Sequence, residues 1–188
     1  MQRILRLANT FPPALLVITV LGAITHLVPH PAGFSTIGAV GLLAVALLPM
    51  KFVPVPVLIS TITFDLIHGT YGFAAMSFVY AAHLAAAWSV APLLAGKGWA
   101  NKQLLRPARE RIPQIAGAGI VSALVFYLIS NLTPMALAFY PNTLTGWLTC
   151  YINGLPFLLR GIIANLIFAG IAFGALTLWR QTKLATTP

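Results

Sequence analysis

Charge is nearly absent from long stretches of this chain and returns only in the short intervals between them. Runs such as ALLVITVLGAITHLV, IGAVGLLAVALLPM and IVSALVFYLISNL hold no Asp, Glu, Lys or Arg. A helix needs about 20 apolar residues to cross a hydrocarbon core of about 30 Å. Only 7% of the 188 residues are charged, and 59% are hydrophobic, whereas soluble domains carry about 25% charge. The pattern predicts an all-α integral membrane protein, one transmembrane domain over residues 1–188 in contact with the lipid bilayer.

Hydropathy places six spans along the chain, the first from Pro12 to Val28 and a short second from Thr36 to Met50. The others run from Val53 to His68, Gly72 to Ala95, Ile112 to Leu132 and Phe157 to Trp179. Prolines at 29, 31, 54, 56, 113, 134, 141 and 156 mark where helices start or stop. The stretch from Thr143 to Gly154 is too short to span and rich in Thr, Asn and Gly. It reads as a re-entrant or interfacial segment lining a cavity, because irregular backbone at membrane depth needs protein or water to satisfy its polar groups.

A net charge of +9 suggests nucleic acid in a soluble protein, so the positions of the basic residues decide its meaning. With the N-terminus inside, Arg3, Arg6, Lys51, Lys97, Lys102, Arg106, Arg109, Arg111, Arg180 and Lys183 all fall on the cytoplasmic side, as the positive-inside rule requires. That is ten of the eleven basic residues, and the exception is Arg160. The charge therefore reads as a topology signal, with both termini cytoplasmic and no nucleic-acid partner. In a bacterial cell the expected location is the inner membrane, crossed several times.

Few groups offer chemistry. Cys150 stands alone, so no intrachain disulfide forms, and no zinc-type Cys/His spacing occurs. The basic start followed by an apolar stretch resembles a secretory signal, but no small-x-small cleavage site follows it. Two acidic residues leave no material for a paired-acid mechanism, and no nucleotide or phosphate motif appears, so neither an enzyme nor a resident cofactor is expected.

Charge at a helix centre costs about 2.5–3.5 kcal/mol on insertion scales, so an intramembrane ionisable group needs a partner, a wet cavity or a task. Asp65 and Arg160 are the two candidates, both near the outer ends of their spans. They face a ligand cavity on one reading; on the other they form a salt bridge, or Arg160 snorkels to the interface. Asp65 and His68 share a helix face, and with His26 and His30 they offer ligand types suited to a transition metal, an alternative with weak spacing. His83 lies mid-span and reads as an interhelical hydrogen-bonding group or a lining residue. Asn131, Tyr140 and Asn153 belong to the same outer half as Arg160 and are candidate ligand contacts, whereas Asn165 reads as interhelical glue. Phe34, Tyr71, Trp147 and Tyr151 are belt aromatics or stacking surfaces for a planar ligand. Ala81, Ala85 and Ser89, and the Gly170/Gly174 pair, are small-residue faces for packing within the bundle or for docking another subunit.

Four stretches together, HLVPHPAGFSTIGAVGL, FDLIHGTYG, YLISNL and YPNTLTGWLTCYINGLPFLLRGIIANLIFAGIAFG, carry a resemblance. They resemble a family of small bacterial membrane proteins without assigned function, which is similar to the substrate-binding S components of energy-coupling-factor vitamin transporters. The resemblance implies an S-component-like six-helix bundle with an outward-opening cavity under capping loops. The capping role would fall on His30 to Thr36 and on Tyr140 to Arg160. It also implies a separate transmembrane coupling subunit with ATPases.

The expected function is capture or uptake of a small molecule, vitamin-like or a metal chelate. Its expected contacts are His30, Phe34, Asp65, His68, Asn131, Tyr140, Asn153 and Arg160. The alternatives are a non-catalytic accessory subunit of a larger membrane complex and a proton-coupled carrier working through Asp65.

Overall fold

The computed structural model describes residues 13–28, 31, 33–95 and 106–185. His30, and the basic residues Arg3, Arg6, Lys97 and Lys102, lie outside the described residues. Helix α1 covers Pro13–Ile24 and runs into a 3₁₀ turn, Thr25–Leu27; α2 is Ile37–Leu47. A 3₁₀ turn at Met50–Phe52 leads into α3, Pro54–His68, followed by α4, Phe73–Ser89, and the short α5, Ala91–Leu94. Helix α6 is Ala108–Ser130, α7 is Leu132–Ala136, and α8 is Leu144–Ala185. No strand occurs among the described residues.

Among the described residues four helical stretches are long and apolar enough to cross a membrane: Met50–His68, Phe73–Leu94, Ala108–Ala136 and Leu144–Trp179. Pro13–Leu27 and Ile37–Leu47 are apolar but shorter. Leu16, Leu66, Phe73, Leu144 and Leu178 are all more than half exposed, which suits contact with lipid and not with water. The protein is thus all-helical and membrane-embedded.

Helix α2 is short because of where it sits. Its 11 residues reach only about 16 Å, half of a hydrocarbon core. It is packed on by α1, α3, α4, α6 and α8, and Leu42, Ala44 and Val45 are buried to 2% exposure or less. A helix apolar on every face belongs in a core, and α2 is the post around which the other helices stand.

Helix α3 begins with Pro54 in its first turn, where a missing N–H breaks no helical bond. It ends at Gly69, whose φ of 105° disfavours any side chain. Thr61 and Thr63 donate to the carbonyls of Val57 and Ile59 at 2.9 and 2.8 Å, so their hydroxyls are satisfied within the helix.

Helices α6 and α8 run antiparallel, joined by polar contacts along their length. Arg111 donates to Thr177 Oγ1 at one end. Asn165 Nδ2 donates to Gly119 O at 3.0 Å in the middle, and Tyr127 Oη to Tyr151 O at 2.6 Å at the other end.

The last helix departs from the sequence expectation. The sequence reads Thr143 to Gly154 as a re-entrant or interfacial segment before a span starting at Phe157, yet α8 is continuous for 42 residues with Pro156 inside it. A proline within a helix removes one hydrogen bond, a loss that membrane helices tolerate when packed neighbours and local adjustments compensate. Here Tyr127, Asn131 and Cys150 clamp the turns just before it. At 1.5 Å per residue α8 is about 63 Å long. Tilts of up to about 40° absorb only part of that, so its ends extend beyond the hydrocarbon.

Candidate functional site

Small residues leave space inside the bundle. Gly38 and Gly41 on α2, Ala86 and Ala87 on α4, Ala123 on α6 and Gly161 on α8 face one another across a cavity of 330 Å³. This is near the lower bound of ordinary ligand pockets, about 300–1,000 Å³. The close approaches are real constraints. A Cβ added at Gly38 would collide with Asn165 Oδ1 and lie 2.7 Å from Asn165 Cγ, and one at Gly41 would lie 3.1 Å from the Ala87 Cβ.

Asp65 is the charged group of the cavity wall. It falls on the buried face of α3, one turn beyond Thr61 and two beyond Val57, and is 3% exposed. Tyr80 on α4 stands close enough to its carboxylate to interact with it. Its Oδ2 is buried and has no hydrogen-bond partner among the described residues. Tyr71, in the turn between α3 and α4, also lines the cavity. Burial and the nearby Asp65 carboxylate push its phenol above the usual range.

Aromatic rings form much of the remaining wall. Phe64, Phe126, Tyr127 and Phe157 line it, and His83 stacks on Phe126 with ring centroids 4.2 Å apart. Residues 33–35 close one side. Gly33, at φ +79°, packs on Phe157, and a Cβ there would lie 3.0 Å from Phe157 Cδ1.

Asn131 lines the cavity as well, its Nδ2 donating to Tyr127 O at 2.8 Å. The other sequence candidates lie elsewhere. His68 is exposed, stacked on Phe64 at 4.3 Å with Nδ1 3.0 Å from Phe64 O. Asn153 donates to Tyr140 Oη at 3.2 Å, a pair that does not border the cavity. Phe34 meets Phe168 edge-on at 5.5 Å, next to the cavity-lining Gly33 and Ser35. Arg160 is exposed, its guanidinium carbon 5.7 Å from the centroid of the Phe157 ring, and it forms no ion pair with Asp65.

For the metal alternative, His26 is buried edge-on to Phe64 at 5.4 Å, and Phe64 stands between it and His68. Among the described residues no group of three His, Cys, Asp or Glu side chains is arranged to hold a metal ion.

Sequence reasoning passed over Tyr80, Ser122, Phe126 and Tyr127. A signal for three of them was present. Ser122, Phe126 and Ser130 recur every four or eight residues on one face of α6, and Tyr80 precedes His83 by one helical step on α4.

Fold and cavity define the class: an all-helical, membrane-embedded protein enclosing a chamber with one buried carboxylate. The chain belongs to the Family of unknown function (DUF6580), whose model matches residues 7–187. No curated protein and no solved structure matches it.

Proposed function

We propose that this protein is a non-enzymatic small-molecule-binding component of a membrane uptake system, with its ligand held in the 330 Å³ chamber. The observation that carries this reading is Asp65, buried at the chamber wall with one carboxylate oxygen unsatisfied. A buried polar atom without a partner is expensive, and more so in a membrane, so its presence beside a chamber argues for a ligand that completes it.

The proposed topology has six helices in the bilayer of the inner membrane and both termini in the cytoplasm. In its favour, Lys51, Arg106, Arg109 and Arg111 stand at one end of the helices, whereas the turns carrying Gly33 and Tyr71, and Pro134 in the short helix α7, border the chamber at the other. The ligand would enter from the outer side. As the resemblance to S components implies, energy would come from a separate coupling subunit with ATPases.

The full chain in lipid nanodiscs, heated with a broad set of small metabolites, tests the reading. A ligand at about a hundredfold excess over its Kd adds about 2.7 kcal/mol. For a chain of this size that raises Tm by about 5–10 °C. The Val79→Trp variant, which fills the chamber, should lose the shift. The reading fails if no compound stabilises the wild type, or if every shift survives Val79→Trp.

A second observation favours a docking role. Arg111, Ile115, Leu166 and Phe173 line a groove of 270 Å³ between α6 and α8. Gly170 and Gly174 border it, with no heavy atom within 4 Å of an added Cβ. Such a face admits a close-packed helix of another membrane subunit. Stoichiometric co-purification that Gly170→Leu abolishes would support an accessory subunit, and a wild type that purifies alone from its own membrane would refute it.

A further inference from the structure

Five of the polar side chains lining the chamber turn their donors to the protein's own carbonyls, leaving their oxygens to receive hydrogen bonds. Tyr127 gives its hydroxyl proton to Tyr151 O, Thr61 to Val57 O and Ser130 to Tyr127 O. Asn131 and Asn165 turn their amide nitrogens to the carbonyls of Tyr127 and Gly119. Only the NH₂ end of an amide can meet a carbonyl, so both amide orientations are determined, and each Oδ1 points away from that contact. Asn165 Oδ1 lies against Gly38, at the chamber wall.

Charge points the same way. Asp65 is the one formally charged side chain among the described residues lining the chamber, and Arg160 does not border it. The wall also carries aromatic rings at Phe64, Tyr71, Phe126, Tyr127 and Phe157, and ring faces attract cations. A carboxylate flanked by aromatic faces and acceptor oxygens is complementary to an organic cation. It is repulsive to an anion, because no lining Lys or Arg offsets Asp65.

We infer that the chamber selects a small organic cation, an ammonium or amidinium group on a compact or planar body, which donates to Asp65 Oδ2 and to acceptor oxygens such as Asn165 Oδ1. This inference rests on the chamber being a ligand site and adds the chemistry of the ligand. The volume suits a body of modest size: 330 Å³ equals roughly eleven water molecules at about 30 Å³ each. A planar body would stack against Phe64 or Phe126, with the charged end at Asp65.

Three near-isosteric probes test it: benzamidinium, neutral benzamide and anionic benzoate, each titrated into the full chain in nanodiscs while Tm is followed. Benzamidinium should raise Tm more than benzamide does, and benzoate should not raise it. Asp65→Asn should weaken benzamidinium by about tenfold or more, the loss of one charge-assisted hydrogen bond, and bring it level with benzamide. Tyr80→Phe, which leaves the carboxylate in place, should keep the cation preference, so the test survives even if Asp65→Asn folds poorly.

Benzamide or benzoate stabilising as strongly as benzamidinium overturns the cation assignment, as does a preference unchanged in Asp65→Asn. If those neutral or anionic shifts vanish in Val79→Trp, the chamber still binds ligands and only the cation assignment falls. No shift with benzamidinium also overturns the assignment, whereas the small-molecule reading falls only if the wider compound set fails as well.

Discussion

Gly38→Ala tests the packing that forms the chamber. The new methyl would collide with Asn165 Oδ1 and come within 2.7 and 2.8 Å of Cγ and Nδ2. Asn165 cannot simply swing aside, because it is 5% exposed and its Nδ2 is held by Gly119 O at 3.0 Å. Overpacking a filled interior costs about 1–3 kcal/mol, and losing an interhelical hydrogen bond in a membrane adds about 0.6 kcal/mol. Replacing Gly by Ala in a helix returns about 0.5–1 kcal/mol. The net expectation is destabilisation by about 1–2.5 kcal/mol, with overpacking the deciding effect.

Asn165→Ala removes what the methyl collides with. In that background the same Gly38→Ala change should become neutral or stabilising, by up to about 1 kcal/mol, as helix propensity and partial filling of the vacated space take over. The sign of one substitution should therefore reverse with its neighbour, a coupling of about 2 kcal/mol within the range for residues in contact. Reversible unfolding in mixed micelles of mild detergent and SDS, followed by tryptophan fluorescence, measures all four chains of the cycle. Additivity within about 0.5 kcal/mol would refute the proposed contact between α2 and α8.

Gly146→Ala should be more damaging than Gly38→Ala. Its methyl would overlap the Pro141 carbonyl oxygen and lie 3.0 Å from the carbonyl carbon, backbone atoms that no side-chain rotation can move, and a drop in folded yield reports it. Tyr127→Phe removes the 2.6 Å bond to Tyr151 O and should lower stability by about 0.5–1.5 kcal/mol in the same micelle assay. Cys150 is 2% exposed and held against Asn131 O at 3.5 Å; a membrane-permeant maleimide should label it only after SDS unfolding, as read by intact mass. Arg160→Gln should leave benzamidinium affinity within about twofold, the range of a surface substitution, because Arg160 does not border the chamber. Titration of the variant checks this.

Hydropathy carried most of the helical layout. The expected third span, Val53 to His68, differs from α3 by one residue at its start, and the expected fourth covers α4 and α5. Two features were not legible for physical reasons. Pro156 reads as a break because its local chemistry opposes a helix, yet α8 continues through it with α6 packed alongside, a tertiary effect that no local pattern carries. Cavity membership was the second. Hydropathy gives the depth of a residue along a span but not the rotation of the helix about its axis. Asp65 and Arg160 were placed at similar depth, but Asp65 faces the interior and Arg160 is exposed. Asp65 was singled out by the cost of burying charge, a signal independent of rotation. Arg160 was singled out by the same cost, His68 by sharing a helix face with Asp65 and Asn153 by sharing the outer half with Arg160, and none of the three borders the chamber.

Whether water and solutes reach the chamber is tested most directly by thiol accessibility in sealed membrane vesicles. Val79 lines the chamber and Leu124 is exposed on the outside of the bundle. Val79→Cys and Leu124→Cys, each made with Cys150→Ser, would be treated with a charged, membrane-impermeant methanethiosulfonate. The expected result is labelling of the cysteine at 79, from the side opposite the basic connections, and none at 124, where lipid excludes the reagent. A position 79 that stays unlabelled until SDS unfolds the chain would contradict the existence of an open chamber, and the proposed function with it.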